Sequence, residues 1–134
     1  MLYMTSFKIY ILSTLTSIMS ILKVVETNSN PDSIGDNGRS YGILQIQRSV
    51  LSDVNRIYGT DYRHKDMFDE EASEEVFMLY LCYGKEVFFK KHCRFPTEEE
   101  MVRMWNGGIY KGYKYNQTKL YYQKYLDVKQ RINR

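Results

Sequence analysis

Residues 24–46 read VVETNSNPDSIGDNGRSYGILQI, and this stretch decides how the chain can fold. Upstream of it, Ile11, Leu15, Ile18, Leu22 and Val25 recur at steps of four and three, the apolar stripe of an amphipathic helix. Ser13, Ser17 and Ser20 lie off that stripe. Pro31 cannot continue a helix and biases Asn30 towards extended backbone, so the helix closes near Glu26 and Thr27. Gly35, Asp36, Asn37 and Gly38 then supply turn chemistry, and residues 40–46 read as a short strand or hairpin arm. A helix ending in a carboxylate is thus followed by a turn able to fold back over that end.

Working outward, the sequence predicts a second helix from about Arg48 to Ile57 and a third from Asp69 to Lys91. Asp69 is placed to cap the third, acidic residues crowd its first turn, and Lys90 and Lys91 close it. Ala72, Val76, Leu79, Tyr83 and Val87 are its expected core face. Pro96 breaks the chain, and Thr97 with Glu100 forms a capping box that opens a helix to about Trp105, stopped by Gly107 and Gly108. A final helix from about Thr118 carries Tyr121, Tyr125, Val128 and Ile132 on one face. The expected fold is mainly α, about five helices with a small β element between the first two, as a single domain over residues 1–134.

The N-terminal segment has two readings. Ile9 to Leu22 is free of charge and follows Lys8, which resembles the apolar region of a secretion signal. It is short and rich in Ser and Thr for a membrane span. The stripe favours a retained helix, with residues 1–12 as a signal, an anchor or an N-terminal extension; membrane contact is expected only in the first two cases.

With 134 residues, 43% hydrophobic and 26% charged, the chain can bury a modest core without disulfides. Cys82 and Cys93 stand eleven positions apart, roughly 16 Å along a helix and beyond the ~7 Å that a disulfide spans, so both are expected as free thiols. No CxxC or His/Cys cluster points to zinc, and His64 and His92 read as isolated surface residues; neither metal nor cofactor is expected. The net charge of +3 gathers towards the end, where seven Lys and Arg from Lys111 to Arg134 face only Asp127. A solvated lysine face accounts for this more simply than nucleic-acid binding, which is not expected. Thirteen tyrosines suit sugar grooves and half-buried packing equally well.

The chemistry rests on Glu26. Glycosidic bonds break when a carboxylic acid protonates the leaving oxygen while a second group stabilises or traps the sugar cation. Such an acid must hold its proton near neutrality, which requires a dry setting. Glu26 follows the apolar stripe at the last turn of a helix, where desolvation and the negative end of the helix dipole both disfavour a carboxylate. A glutamate at a fraying helix end would look the same in sequence. Asp36, ten residues on, is the candidate partner, although Asp is also a common turn residue.

The order of these pieces resembles the lysozyme-like superfamily. Lytic transglycosylases carry Glu-Ser, Gly-Leu-Met-Gln and Tyr-Asn-Ala-Gly; here stand Glu26 and Thr27, then Gly42 to Gln45, then Trp105 to Gly108. Goose-type lysozymes carry Gly-Asp-x-Gly-x-x-Phe-Gly-Leu-Met-Gln, matched at Gly35, Asp36, Gly38, Gly42 and Gln45, with Gln47 where they place a further acid. The closest resemblance is to invertebrate-type, destabilase-like lysozymes, whose Arg-Ile-His-Asn-Gly-Gly, Gly-x-Lys and Thr-Leu-x-Tyr are similar to residues 103–108, 112–114 and 118–121. The likeness spans residues 13–128. It departs from that family in lacking dense cysteines, in placing Trp105 for a His or Tyr, and in an Asp36-to-Gly42 spacing one residue shorter.

That resemblance implies Glu26 as general acid and Asp36 as second carboxylate. It implies substrate contacts at Thr27, along Gly42 to Gln45, and at Asn106 and Gly107 on the opposite wall. Tyr41 and Trp105 either stack on sugars or sit in the core. The implied activity is hydrolysis of the β-1,4 bond between N-acetylmuramic acid and N-acetylglucosamine in peptidoglycan. The implied setting is a monomer working at the bacterial wall, periplasmic, extracellular or phage-delivered. A lytic transglycosylase, with Glu26 acting alone, and a non-catalytic glycan-binding or structural protein are the alternatives.

Overall fold

The computed structural model describes the backbone of residues 2–134 and the side chains from Ser13 onward; the side chain of Ile11 and the assignment of residues 1–12 lie outside the described residues. The fold is mainly helical, with five helices: α1 (Leu2–Thr27), α2 (Arg48–Tyr58), α3 (Glu70–His92), α4 (Glu98–Gly107) and α5 (Asn116–Ile132). Between α1 and α2 lies an antiparallel sheet of two-residue strands, β1 (Ile34–Gly35), β2 (Ser40–Tyr41) and β3 (Ile46–Gln47), in that order. Ile34 pairs with Tyr41, and Tyr41 with Ile46.

The local signals act where the sequence places them. Asp69 accepts a bond from the Ala72 N–H at the start of α3, and Thr97 and Glu100 cap α4 reciprocally. Arg94 grips Glu100 with both terminal nitrogens, 2.8 and 3.0 Å, and together with the Thr97 bonds this holds the Glu100 carboxyl at a pKa of about 2. Leu15, Ile18 and Leu22 of α1 are buried and Val25 half-buried, while Ser13, Ser17 and Ser20 face solvent. Lys23 ties α1 to Glu70 and Glu74 of α3, and Glu98 of α4 accepts from Tyr125 and Lys129 of α5.

Three expectations need correction. The buried residues of α3 are Ser73, Val76, Phe77, Tyr80, Leu81, Gly84, Lys85 and Phe88, whereas Ala72, Leu79, Tyr83 and Val87 are half-buried. This central helix packs against α1, α2 and α4, so apolar residues surround it and its single stripe is blurred. Ile132, on the last turn of α5, is exposed. Neither histidine is isolated. His64 bonds the Ile46 carbonyl at 2.8 Å and takes a bond from Arg48 Nε, and His92 Nε2 lies 2.9 Å from the Tyr113 hydroxyl. Both cysteines are free; Cys93 forms the left-handed cap of α3.

Candidate functional site

The end of α1, the small sheet, the start of α2 and the end of α4 enclose a cleft of about 330 Å³. Glu26, Asp36, Gln45, Gln47, Trp105 and Asn106 are among the residues lining it. Glu26 reaches it from the last turn of α1, where Asn28 and Ser29 break the helix with left-handed backbone. Burial is the main cause that lifts the Glu26 carboxyl to a pKa of about 7, and the charge of Asp36 pushes the same way. A 2.5 Å bond from the Tyr121 hydroxyl and the charge of Lys124 work against the shift without cancelling it. Near neutrality the group is therefore divided between acid and carboxylate. Tyr121 bonds Oε1, so Oε2 is the oxygen left to carry the proton. Its own hydroxyl is raised by burial and by Glu26, so it stays a donor.

Asp36 enters from a turn with left-handed backbone at Asp36 and Asn37. Its Oδ2 accepts from Ser40 Oγ at 2.5 Å and from Gln47 Nε2 at 3.4 Å. Gln47 thus supports the second carboxylate from the position where the goose-type pattern has another acid. Gln45 also lines the cleft, its amide nitrogen spent on the carbonyls of Gly42 (3.0 Å) and Ser33 (3.3 Å).

On the opposite wall, Trp105 packs one side against Phe77 and Tyr80 (centroids 4.8 and 5.9 Å) while still lining the cleft, so it serves core and site together. Asn106 is exposed there, and Gly107 comes so near Gly112 and Thr118 that a Cβ would stand 2.6 Å from the Thr118 methyl. Arg103 fixes this wall from behind. It is buried and donates to Thr118 Oγ1, Glu99 and the Tyr115 carbonyl, and Thr118 in turn donates to the Gly112 carbonyl.

No family model, curated protein or solved structure matches this chain. The site therefore stands on its own geometry.

Three of the sequence-predicted substrate residues fall outside the cleft lining. Tyr41 stacks flat on His64 at 3.8 Å and on Phe68 at 4.7 Å. Side chains alternate along β2, so with Ser40 turned to Asp36, Tyr41 points to the other face. Thr27 spends its hydroxyl on the carbonyls of Ile43 (2.8 Å) and Lys23 and accepts from the Asn30 N–H, tying the helix end to the following turn. Gly42 is buried with φ 84°, and a Cβ would meet the Met67 carbonyl oxygen at 1.9 Å. Both are framework residues. Conversely, Tyr121, Ser40, Gln47 and Tyr80 belong to the site without having been singled out for it. Tyr121 closes the Thr118-to-Tyr121 piece of the resemblance, the one signal that could have found it.

Proposed function

We propose that this chain is a peptidoglycan glycan-strand hydrolase, a muramidase acting at the bacterial cell wall with Glu26 as general acid. The observation that carries the reading is a sheltered carboxyl of pKa about 7, facing a second carboxylate across a polar cleft. Glu26 Oε2 delivers its proton to the bridging oxygen between N-acetylmuramic acid and N-acetylglucosamine as that bond opens. Asp36 lies beside the positive charge growing on the ring, and either orients the incoming water or stabilises the cation. Tyr121 holds Glu26 in line. Trp105 and Asn106 offer the ring face and the amide that an N-acetyl sugar can use.

Glu26→Gln tests the reading on purified sacculi. Muropeptide release should fall by about a thousandfold or more while the protein still sediments with the sacculi. Ends released by the wild type should be reducing; 1,6-anhydro ends would replace this reading with a transglycosylase, in which Glu26 works alone. A wild type that binds sacculi and releases nothing would leave a glycan-binding protein. The same variant has a stability signature. Glu26 titrates near 7 in the fold and near 4.5 unfolded, so the native state is penalised once pH rises above 4.5, and fully above 7. Glu26→Gln should therefore stabilise the fold at pH 8, by up to about 3 kcal/mol in urea titrations, with the gain vanishing below pH 4.5.

A further inference from the structure

A second concavity, open and about 490 Å³ in volume, shares no lining residue with the Glu26 cleft. Arg48 and Ser52 of α2 line it together with Arg63 and Lys65 of the following loop, and no Asp or Glu does. Among the described residues, none of these three cations is in an ion pair. The side chains around them are nonetheless fixed. His64 Nε2 faces the Ile46 carbonyl at 2.8 Å, so that nitrogen carries the ring proton and Nδ1 is left to accept. Arg48 Nε donates to Nδ1 at 3.3 Å, and Tyr41 stacks on the same imidazole at 3.8 Å. The Arg48 guanidinium is thus pinned by its inner nitrogen, while its two terminal nitrogens have no partner among the described residues. Asn55 ties the loop to α2, donating to the Tyr62 carbonyl at 2.9 Å and accepting from the Tyr62 N–H at 3.0 Å. The acidic neighbours are already engaged, Asp66 by the Arg63 N–H and Glu75 by the Tyr62 hydroxyl.

We infer that this pocket binds a phosphate ester carried on a polyol or sugar, with the Arg48 fork as its main anchor. A guanidinium held by Nε offers two parallel N–H donors, the geometry that takes two oxygens of one oxyanion. A carboxylate would be used up by that fork and would leave Arg63 and Lys65 without a counter-charge. A phosphate has further oxygens for them and for the Ser52 hydroxyl, and as a monoester it carries up to two negative charges. The pocket is larger than a bare phosphate, and the Tyr62 ring and Leu51 line the remaining space, where the carbon skeleton of the ester fits. Side chains alternate along β2, so Ser40 serves Asp36 on one face while Tyr41 braces this pocket on the other. Phosphate binds here whether or not the cleft cuts glycan.

The test titrates the full chain with glycerol 3-phosphate and with poly(glycerol phosphate) by calorimetry at physiological salt, where diffuse charge attraction is screened. Wild type should bind both saturably, and acetate far more weakly. Arg48→Gln should raise the glycerol 3-phosphate Kd about tenfold or more. Arg48→Lys should lose most of the same affinity, because it keeps the charge and loses the fork. Lys119→Gln, which removes an exposed cation of α5, should stay within about twofold of wild type. Arg48 is itself exposed, so its variants should fold, and their near-ultraviolet circular dichroism should match the wild type. The two arms identify the source. Tighter binding per phosphate by the polymer marks a wall polymer lying across the pocket, equal affinity marks a free phosphate ester, and either supports the site. Absence of saturable binding, acetate binding as tightly as phosphate, Arg48→Lys matching the wild type, or Lys119→Gln losing as much as Arg48→Gln would each overturn it.

Discussion

The two walls of the cleft are built on opposite principles. The wall from Asp36 to Gln47 has almost no regular structure to lean on, since its strands are two residues each. It keeps its shape through left-handed backbone at Asp36, Asn37, Gly42 and Gln45, and through side chains that bond its own carbonyls, Gln45 to Gly42 and Ser33, Thr27 to Ile43. The wall from Trp105 to Gly108 ends a regular helix and is held from behind by one buried arginine and by glycines pressed together. The first wall presents polar groups and the second mainly a ring. Strained turns can aim a carboxylate to order, whereas a helix end offers a broad, stiff surface.

Breaking each wall should therefore cost differently. Gly42→Ala strikes the first where backbone meets backbone; a Cβ 1.9 Å from the Met67 carbonyl cannot be accommodated by a rotamer change. We expect a loss of roughly 4 kcal/mol in urea unfolding. Arg103→Ala strikes the second by removing three side-chain anchors at once, and should cost about 3 kcal/mol. Part of that loss is softened because Glu99 is exposed enough to be solvated when left alone. The smallest effect belongs to the group between the walls. Tyr121→Phe should cost about 1 kcal/mol of stability. More tellingly, it removes the bond that favours the Glu26 carboxylate, so the descending limb of the pH–activity profile should move upward from about 7. A limb that stays put or moves down would show that Tyr121 does not set the acid.

The asymmetry also explains what the sequence disclosed. Helix ends were legible at Asp69, Thr97 and Glu100 because capping is a contract between residues three apart. The place of Glu26 at the close of α1 was legible for a similar reason, since an apolar stripe running into a carboxylate is a local pattern, but its burial was not. Tyr41 was not: the rings that claim it, His64 and Phe68, lie more than twenty positions away. Thr118 marked the expected start of α5, yet the helix begins at Asn116 and the Thr118 hydroxyl serves Arg103 and the Gly112 carbonyl instead. Thr27 and Gly42 sit inside the motif that points to the site and turn out to be its scaffolding. A motif records which residues a geometry requires, and framework and chemistry look alike in it.

The bond between Tyr121 and Glu26 joins residues 95 positions apart. The carboxyl stands at the end of α1, and the hydroxyl that holds it comes from α5. Glu26 therefore gains this partner only when α5 docks against α1, so the setting of the carboxyl depends on a contact between distant parts of the chain.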